Sequence, residues 1–225
     1  MPAKLTTIGF DADDTLWQNE QFYRLTEERF VSLLGAHGEA AEISGRLLEA
    51  EKRNLGFYGF GIKGFILSMI ETAIEVTRGE VSPAVIAEIL AAGREMAAHP
   101  VETLPHAAET LAALAGAYRL VLITKGDLFD QERKLAQSGL GDYFDAVATY
   151  RRLFARHGEG PERAMMVGNS LKSDIVPALV AGGWATFVPH ELTWAFEHAE
   201  EPVGEARFRK LVDLGGLVGL VREIG

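Results

Sequence analysis

The sequence predicts an α/β fold, a parallel sheet core with helices on both faces and a helical subdomain inserted after the first strand. Three observations predict it. Short, near-continuous apolar runs alternate with helical stretches, the pattern of strands buried on both faces. Polar residues stand just after three of those runs, at the sheet edge where open parallel sheets bind ligands. Residues 18–99 carry helical periodicity that no strand interrupts.

The first apolar run, Leu5–Phe10, is bounded by turn-formers and reads as a buried strand, entering Asp11-Ala-Asp13-Asp14-Thr15-Leu-Trp17. Helical spacing follows in Phe22, Leu25, Phe30, Leu33 and Leu34, and again in Ile43, Leu47 and Leu48. It recurs in Phe65, Ile66, Met69, Ile70, Ala73 and Ile74, then in Val85, Ile86, Ile89 and Leu90. Ser82-Pro83 places a capping hydroxyl before a first-turn proline, a helix start. After His99-Pro100 a helix is expected near His106–Ala115 and a buried strand at Tyr118–Thr124. Further strands are expected at Phe144–Ala148, Ala164–Val167 and Ala185–Val188, with a closing helix or turn from Leu214. The expected division is a core of residues 1–17 and 100–225 and a helical subdomain of 18–99.

Composition narrows the function classes. Of 225 residues 48% are apolar and 24% charged, enough for a buried core. Cysteine is absent, which removes disulfides, cysteine-bound zinc and a thiol nucleophile. With 22 Lys+Arg against 32 Asp+Glu the net charge is -10, a surface that repels phosphate backbones and anionic membranes. No nucleic-acid or membrane partner is expected. No apolar run spans a bilayer, and a cytoplasmic location is expected, as a monomer or homodimer.

Chemistry converges at the strand ends. Asp11 and Asp13 follow the first strand, Thr124 and Lys125 the second, and Asn169, Ser170 and Asp174 the fourth. Gathered carboxylates repel unless a cation joins them, and oxygen ligands suit Mg²⁺. Asp11 is placed as a nucleophile and Asp13 as a general acid and base. Thr124 and Lys125 are placed to hold an anionic group.

Asp11-Ala-Asp13-Asp14-Thr15-Leu-Trp17, Leu122-Ile-Thr124-Lys125-Gly126-Asp127 and Val167-Gly-Asn169-Ser170-Leu-Lys172-Ser-Asp174 resemble three of the four motifs of the haloacid dehalogenase superfamily, in order and spacing. The resemblance implies a Rossmann-like core with a helical, C1-type cap over 18–99. It implies a phosphoaspartate mechanism, in which Asp11 attacks phosphorus and Asp13 protonates the leaving group and then activates water. Thr124, Lys125 and Gly126 would bind the phosphorylated substrate. Mg²⁺ would be held by Asp11, the Asp13 carbonyl and Asp174, while Asn169 and Ser170 either reach the metal or merely cap the next helix. The superfamily's dehalogenases lack an acid at position 13 and need no Mg²⁺, so the resemblance implies a phosphatase of a small phosphorylated metabolite. A phosphomutase of the same mechanism and a catalytically silent phosphate-binding protein are the alternatives.

One motif departs from the family. A lysine is expected after the strand at Phe144–Ala148, yet Asp145-Ala-Val-Ala-Thr-Tyr150 contains none. Either a loop bearing it is missing from this stretch, or the deletion is real, with Lys125 or Lys172 substituting or with activity lost. The Gly-rich run Gly56–Gly64 does not fit a phosphate loop. Its Phe57, Tyr58, Phe60 and Lys63 either face substrate or pack in a core. Trp17 either packs or lines an entrance. Asp14 reads as a turn and capping residue, and His190 and His198 as surface residues.

Overall fold

The computed structural model describes residues 4–149 and 159–225. Six strands, β1 (Thr7–Asp11), β2 (Arg119–Thr124), β3 (Ala146–Thr149), β4 (Ala164–Gly168), β5 (Trp184–Phe187) and β6 (Phe208–Lys210), form one sheet in the order β3-β2-β1-β4-β5-β6. Every pairing is parallel. The chain lays down β1, β2 and β3 in one direction, then crosses to the other side of β1 to begin β4. The reversal puts a crevice at the carboxyl ends of β1 and β4, the usual ligand position in such sheets. Asp11 lies beside Ile123 of β2, and Phe10 beside Val167 of β4, so three stretches distant in sequence end side by side.

Alternate residues of the strands feed two apolar layers, as a sheet covered on both faces requires. Ile8, Phe10, Leu120, Leu122, Met165 and Val167 pack with Leu111 and Leu114 of α5 (Ala107–Leu114), and with the C-terminal helix (Leu217–Ile224) through Leu217 and Val221. Val121, Ile123, Met166 and Ala185 face the opposite side with Ile175 and Ala178. Five strands fall within about two residues of expectation, β3 starting two residues later than read. β6 was not foreseen. Phe208-Arg-Lys is a three-residue, partly exposed edge strand that presents no apolar run to read.

The chain divides into two units. One comprises 1–20, 101–124 and 131–225 and contains the sheet. The other comprises 21–100 with 125–130, so the segment Lys125–Asp130, read from sequence as part of the core, groups with the helices. The helical unit contains α1 (Glu20–Leu33, from its second residue), α2 (Ala40–Tyr58), α3 (Ile62–Val76) and α4 (Pro83–Ala98). Ser82 caps α4 as expected, its Oγ accepting from the Val85 N–H at 3.2 Å with Pro83 in the first turn. Phe30, Leu34, Ile43, Leu47, Phe65, Met69 and Ile89 form that unit's core.

The turn joining α2 to α3 needs left-handed backbone at Gly59 (φ 71°) and Gly61 (φ 118°), which glycine supplies without strain. Its aromatics are not core residues: Phe57 is 83% exposed, and Tyr58 and Phe60 are exposed too. Lys63 pairs with Asp127 at 3.0 Å, and the Lys125 ammonium sits 5.1 Å from the Phe60 ring centroid. The stretch between Phe144 and Tyr150, where a missing lysine loop was expected, holds β3 as far as Thr149, and residues 150–158 lie outside the described residues. Among the described residues no helix is long and apolar enough to cross a membrane.

Candidate active site

Asp11 ends β1 and is 7% exposed. The chain turns at once, with the Leu16 N–H donating to the Ala12 carbonyl at 2.9 Å and the Asp14 N–H to the Trp17 carbonyl at 2.8 Å. Asp14 takes a left-handed conformation there (φ 58°), one that Asp tolerates better than most residues. This tight turn returns Thr15 toward Asp11. The Thr15 hydroxyl lies 3.3 Å from Asp11 Oδ2 and 3.3 Å from Asn169 Oδ1, which brings the end of β1 and the segment after β4 to one point.

Thr124, the last residue of β2, is buried. After β4, Ser170 caps a π-helical turn, Leu171–Ile175, by accepting from the Ser173 N–H at 3.0 Å. That turn projects Asp174, almost fully buried, back against Gly168, and its Oδ2 accepts from the Ser170 N–H at 2.9 Å. Glu197 adds a carboxylate that sequence reasoning missed. It accepts from the Ser170 hydroxyl, and from the Ser173 hydroxyl at 2.5 Å. Nothing near Glu197 in the chain marks it, because its position depends on the loop that follows β5.

Asp13 accepts three side-chain hydrogen bonds. Its Oδ1 accepts from Trp17 Nε1 and from Lys134 Nζ, each at 2.9 Å, and its Oδ2 from Gln131 Nε2 at 2.8 Å. Trp17 is therefore a fully buried core residue with its indole N–H committed to the site. Lys134 is the lysine the sequence did not single out; its ammonium also donates to Asn19 Oδ1 at 2.8 Å. Lys172, one of the two proposed substitutes, is exposed on the π-helical turn. Lys125 and Gly126 belong to the helical unit.

Asp14 does the capping work expected of it. Its Oδ1 accepts from the Asn19 N–H at 2.8 Å, and its Oδ2 from the Glu20 N–H at 3.0 Å, at the start of α1. His190 is not a surface residue. It is partly buried, 3.7 Å from Asp14 and bonded to Gln18 Oε1 at 3.1 Å, whereas His198 is exposed as read. Burial pushes the Asp14 carboxyl from 3.8 up to about 6, the Asp13 charge adding to the rise while His190 and two backbone N–H groups oppose it. From about pH 4 to 6 the folded chain thus holds a proton that the unfolded chain releases. Stability from this group falls as pH rises through that window, by about 3 kcal/mol at most. Denaturant unfolding in EDTA across that range should show the fall in wild type and a flatter profile in Asp14→Asn. An equally steep fall in the variant would remove Asp14 as its source.

The oxygens suit a hard cation. Among the described residues no three His, Asp or Glu side chains meet as a metal cluster. The oxygens on hand are mixed: the Asp11 carboxylate and the Asn169 amide oxygen meet at the Thr15 hydroxyl, and the Asp174 carboxylate lies against Gly168 and Ser170. Such a set leaves coordination positions to water, as Mg²⁺ prefers. The Thr15 hydroxyl has one proton to share between two oxygens of that set, Asp11 Oδ2 and Asn169 Oδ1.

The family described as haloacid dehalogenase-like hydrolase matches residues 5–182. The chain belongs to that family. Over 218 residues it is 26% identical to a glyceraldehyde 3-phosphate phosphatase of Methanothermobacter thermautotrophicus, covering 88% of this chain and 92% of that protein. A crystal structure of a haloacid dehalogenase-like family hydrolase from Xanthomonas campestris is 39% identical with a TM-score of 0.87, covering 98% of this chain and 91% of that one. The L-2-haloacid dehalogenase of Xanthobacter autotrophicus is 20% identical with a TM-score of 0.64, covering 98% of this chain and all of that one; it shares the fold. The Rossmann-like α/β core expected of the family is the sheet described above.

Proposed function

We propose that this hydrolase is a Mg²⁺-dependent phosphatase of a small phosphorylated metabolite, acting in the cytoplasm through a phosphoaspartate on Asp11. The observation that carries the reading is Asp13, a carboxylate held by three donors two residues beyond the strand-end Asp11. An alkoxide leaving group needs a proton donor; a halide does not.

An Asp11 oxygen attacks phosphorus and the bond to the leaving oxygen breaks, leaving an acyl phosphate on Asp11 and a proton passed from Asp13 to the alkoxide. Asp13 then takes a proton from water, which attacks phosphorus, releases inorganic phosphate and restores Asp11. Thr124 offers its hydroxyl to the phosphoryl oxygens, and Lys125 and Gly126 assist from the adjoining segment. Mg²⁺, held by Asp11, the Asp13 carbonyl, Asp174 and Asn169, would offset the charge of the phosphoryl group. The helical unit serves as the cap that limits substrates to small molecules. The phosphatase relative supports the same substrate class.

Phosphate release from a panel of small phosphoesters, set beside halide release from 2-haloacids, tests the reading. Phosphate should appear with Mg²⁺, vanish with EDTA and return when Mg²⁺ is restored. Halide without phosphate would overturn it.

A further inference from the structure

We propose that Gln131 and Lys134 are positioning residues that fix the Asp13 carboxylate for proton transfer to the leaving group, a proposal resting on the phosphatase reading above. The two residues are three apart on α6 (Leu128–Ser138) and so project from one face of the helix. They grip opposite oxygens of one carboxylate, Lys134 on Oδ1 and Gln131 on Oδ2. With the Trp17 indole also on Oδ1, the carboxylate cannot turn about its own axis without losing bonds at both oxygens.

Burial supports a dedicated role. Gln131 is 1% exposed and Lys134 8%, and both are residue types that avoid the interior unless paired. The Lys134 ammonium has Asp13 and Asn19 as partners. Gln131 is satisfied on one side only. Its Nε2 serves Asp13, while its Oε1 is buried with no hydrogen-bond partner among the described residues. Turning the amide over would aim that carbonyl at a carboxylate oxygen, so Asp13 dictates the orientation. An unpaired buried acceptor is uncommon in folded chains, and here it is the consequence of directing the donor at Asp13.

The test compares kcat/KM for an alkyl phosphate with that for p-nitrophenyl phosphate, whose leaving group departs without a proton. Lys134→Met and Gln131→Met each remove one donor and keep side-chain bulk. Each should lower kcat/KM for the alkyl ester at least about tenfold more than for the aryl ester, part of the 10²–10⁴ general acid catalysis supplies. A merely structural role would lower both esters by one factor, following the loss of folded protein. Should Lys134→Met fail to fold, Gln131→Met carries the comparison. Equal losses in a variant that folds, with an active wild type, overturn the positioning and leave the phosphatase reading intact. A wild type releasing no phosphate from either ester overturns the reading and the proposal together.

Discussion

Asp11→Asn should lower phosphate release by about 10⁴-fold or more while leaving the fold in place. The amide keeps an oxygen for the Thr15 hydroxyl, 3.3 Å away, and matches the carboxylate in size at a buried strand end. It cannot form an acyl phosphate. Thermal unfolding in EDTA should show a cooperative transition in the variant, the sign that it is folded. Two measurements check this, the rate itself and mass spectrometry of acid-quenched turnover. The quenched wild type should carry a phosphoryl adduct on the peptide containing Asp11. A variant that keeps its rate, or an adduct on another peptide, would place the nucleophile elsewhere.

The parts of the site that could be read from sequence are those that depend on the backbone alone. Asp11, Thr124 and Asp174 each follow a buried apolar run, and a parallel sheet brings such strand ends to one edge whatever the side chains do. The order β2-β1-β4 then sets the three strand ends side by side. Asp14 was legible for a related reason, since its capping bonds are local. Gln131, Lys134 and Glu197 were not. Gln131 and Lys134 sit in Leu128-Phe-Asp-Gln-Glu-Arg-Lys-Leu135, a stretch whose charges look like a solvated helix face. Only the approach of that face to Asp13 buries them. His190 misled for the same reason, because its partner Gln18 lies 172 positions away. Lys125 adjoins Thr124 in sequence and groups with the helical unit, its ammonium beside the Phe60 ring. β6 shows the limit of pattern, for a three-residue edge strand has no period to detect.

Gly168→Ala should disable the site through one methyl group. A Cβ built on Gly168 would lie 2.2 Å from Asp174 Oδ2 and 2.5 Å from its Cγ, far inside van der Waals contact. The obstacle is not a pliable chain end. Asp174 is almost fully buried, and its Oδ2 is tied to the Ser170 N–H at 2.9 Å. Either the carboxylate swings away and leaves that N–H unpaired, or the strand end shifts with Asn169 attached to it. Both routes move an oxygen assigned to Mg²⁺. Apparent Mg²⁺ affinity should fall by about 10–100-fold, and overpacking should cost about 1–3 kcal/mol of stability. Mg²⁺ that binds the folded chain raises its unfolding temperature more the tighter it binds, with the logarithm of affinity, so the Mg²⁺-dependent rise should shrink in the variant. Adding Asp174→Ser to Gly168→Ala removes the clashing oxygen. The pair should unfold later than Gly168→Ala alone in EDTA, yet gain nothing from Mg²⁺, a non-additivity that ties the two positions together. If Gly168→Ala kept the full Mg²⁺ stabilisation, Asp174 could not be the carboxylate that holds the ion.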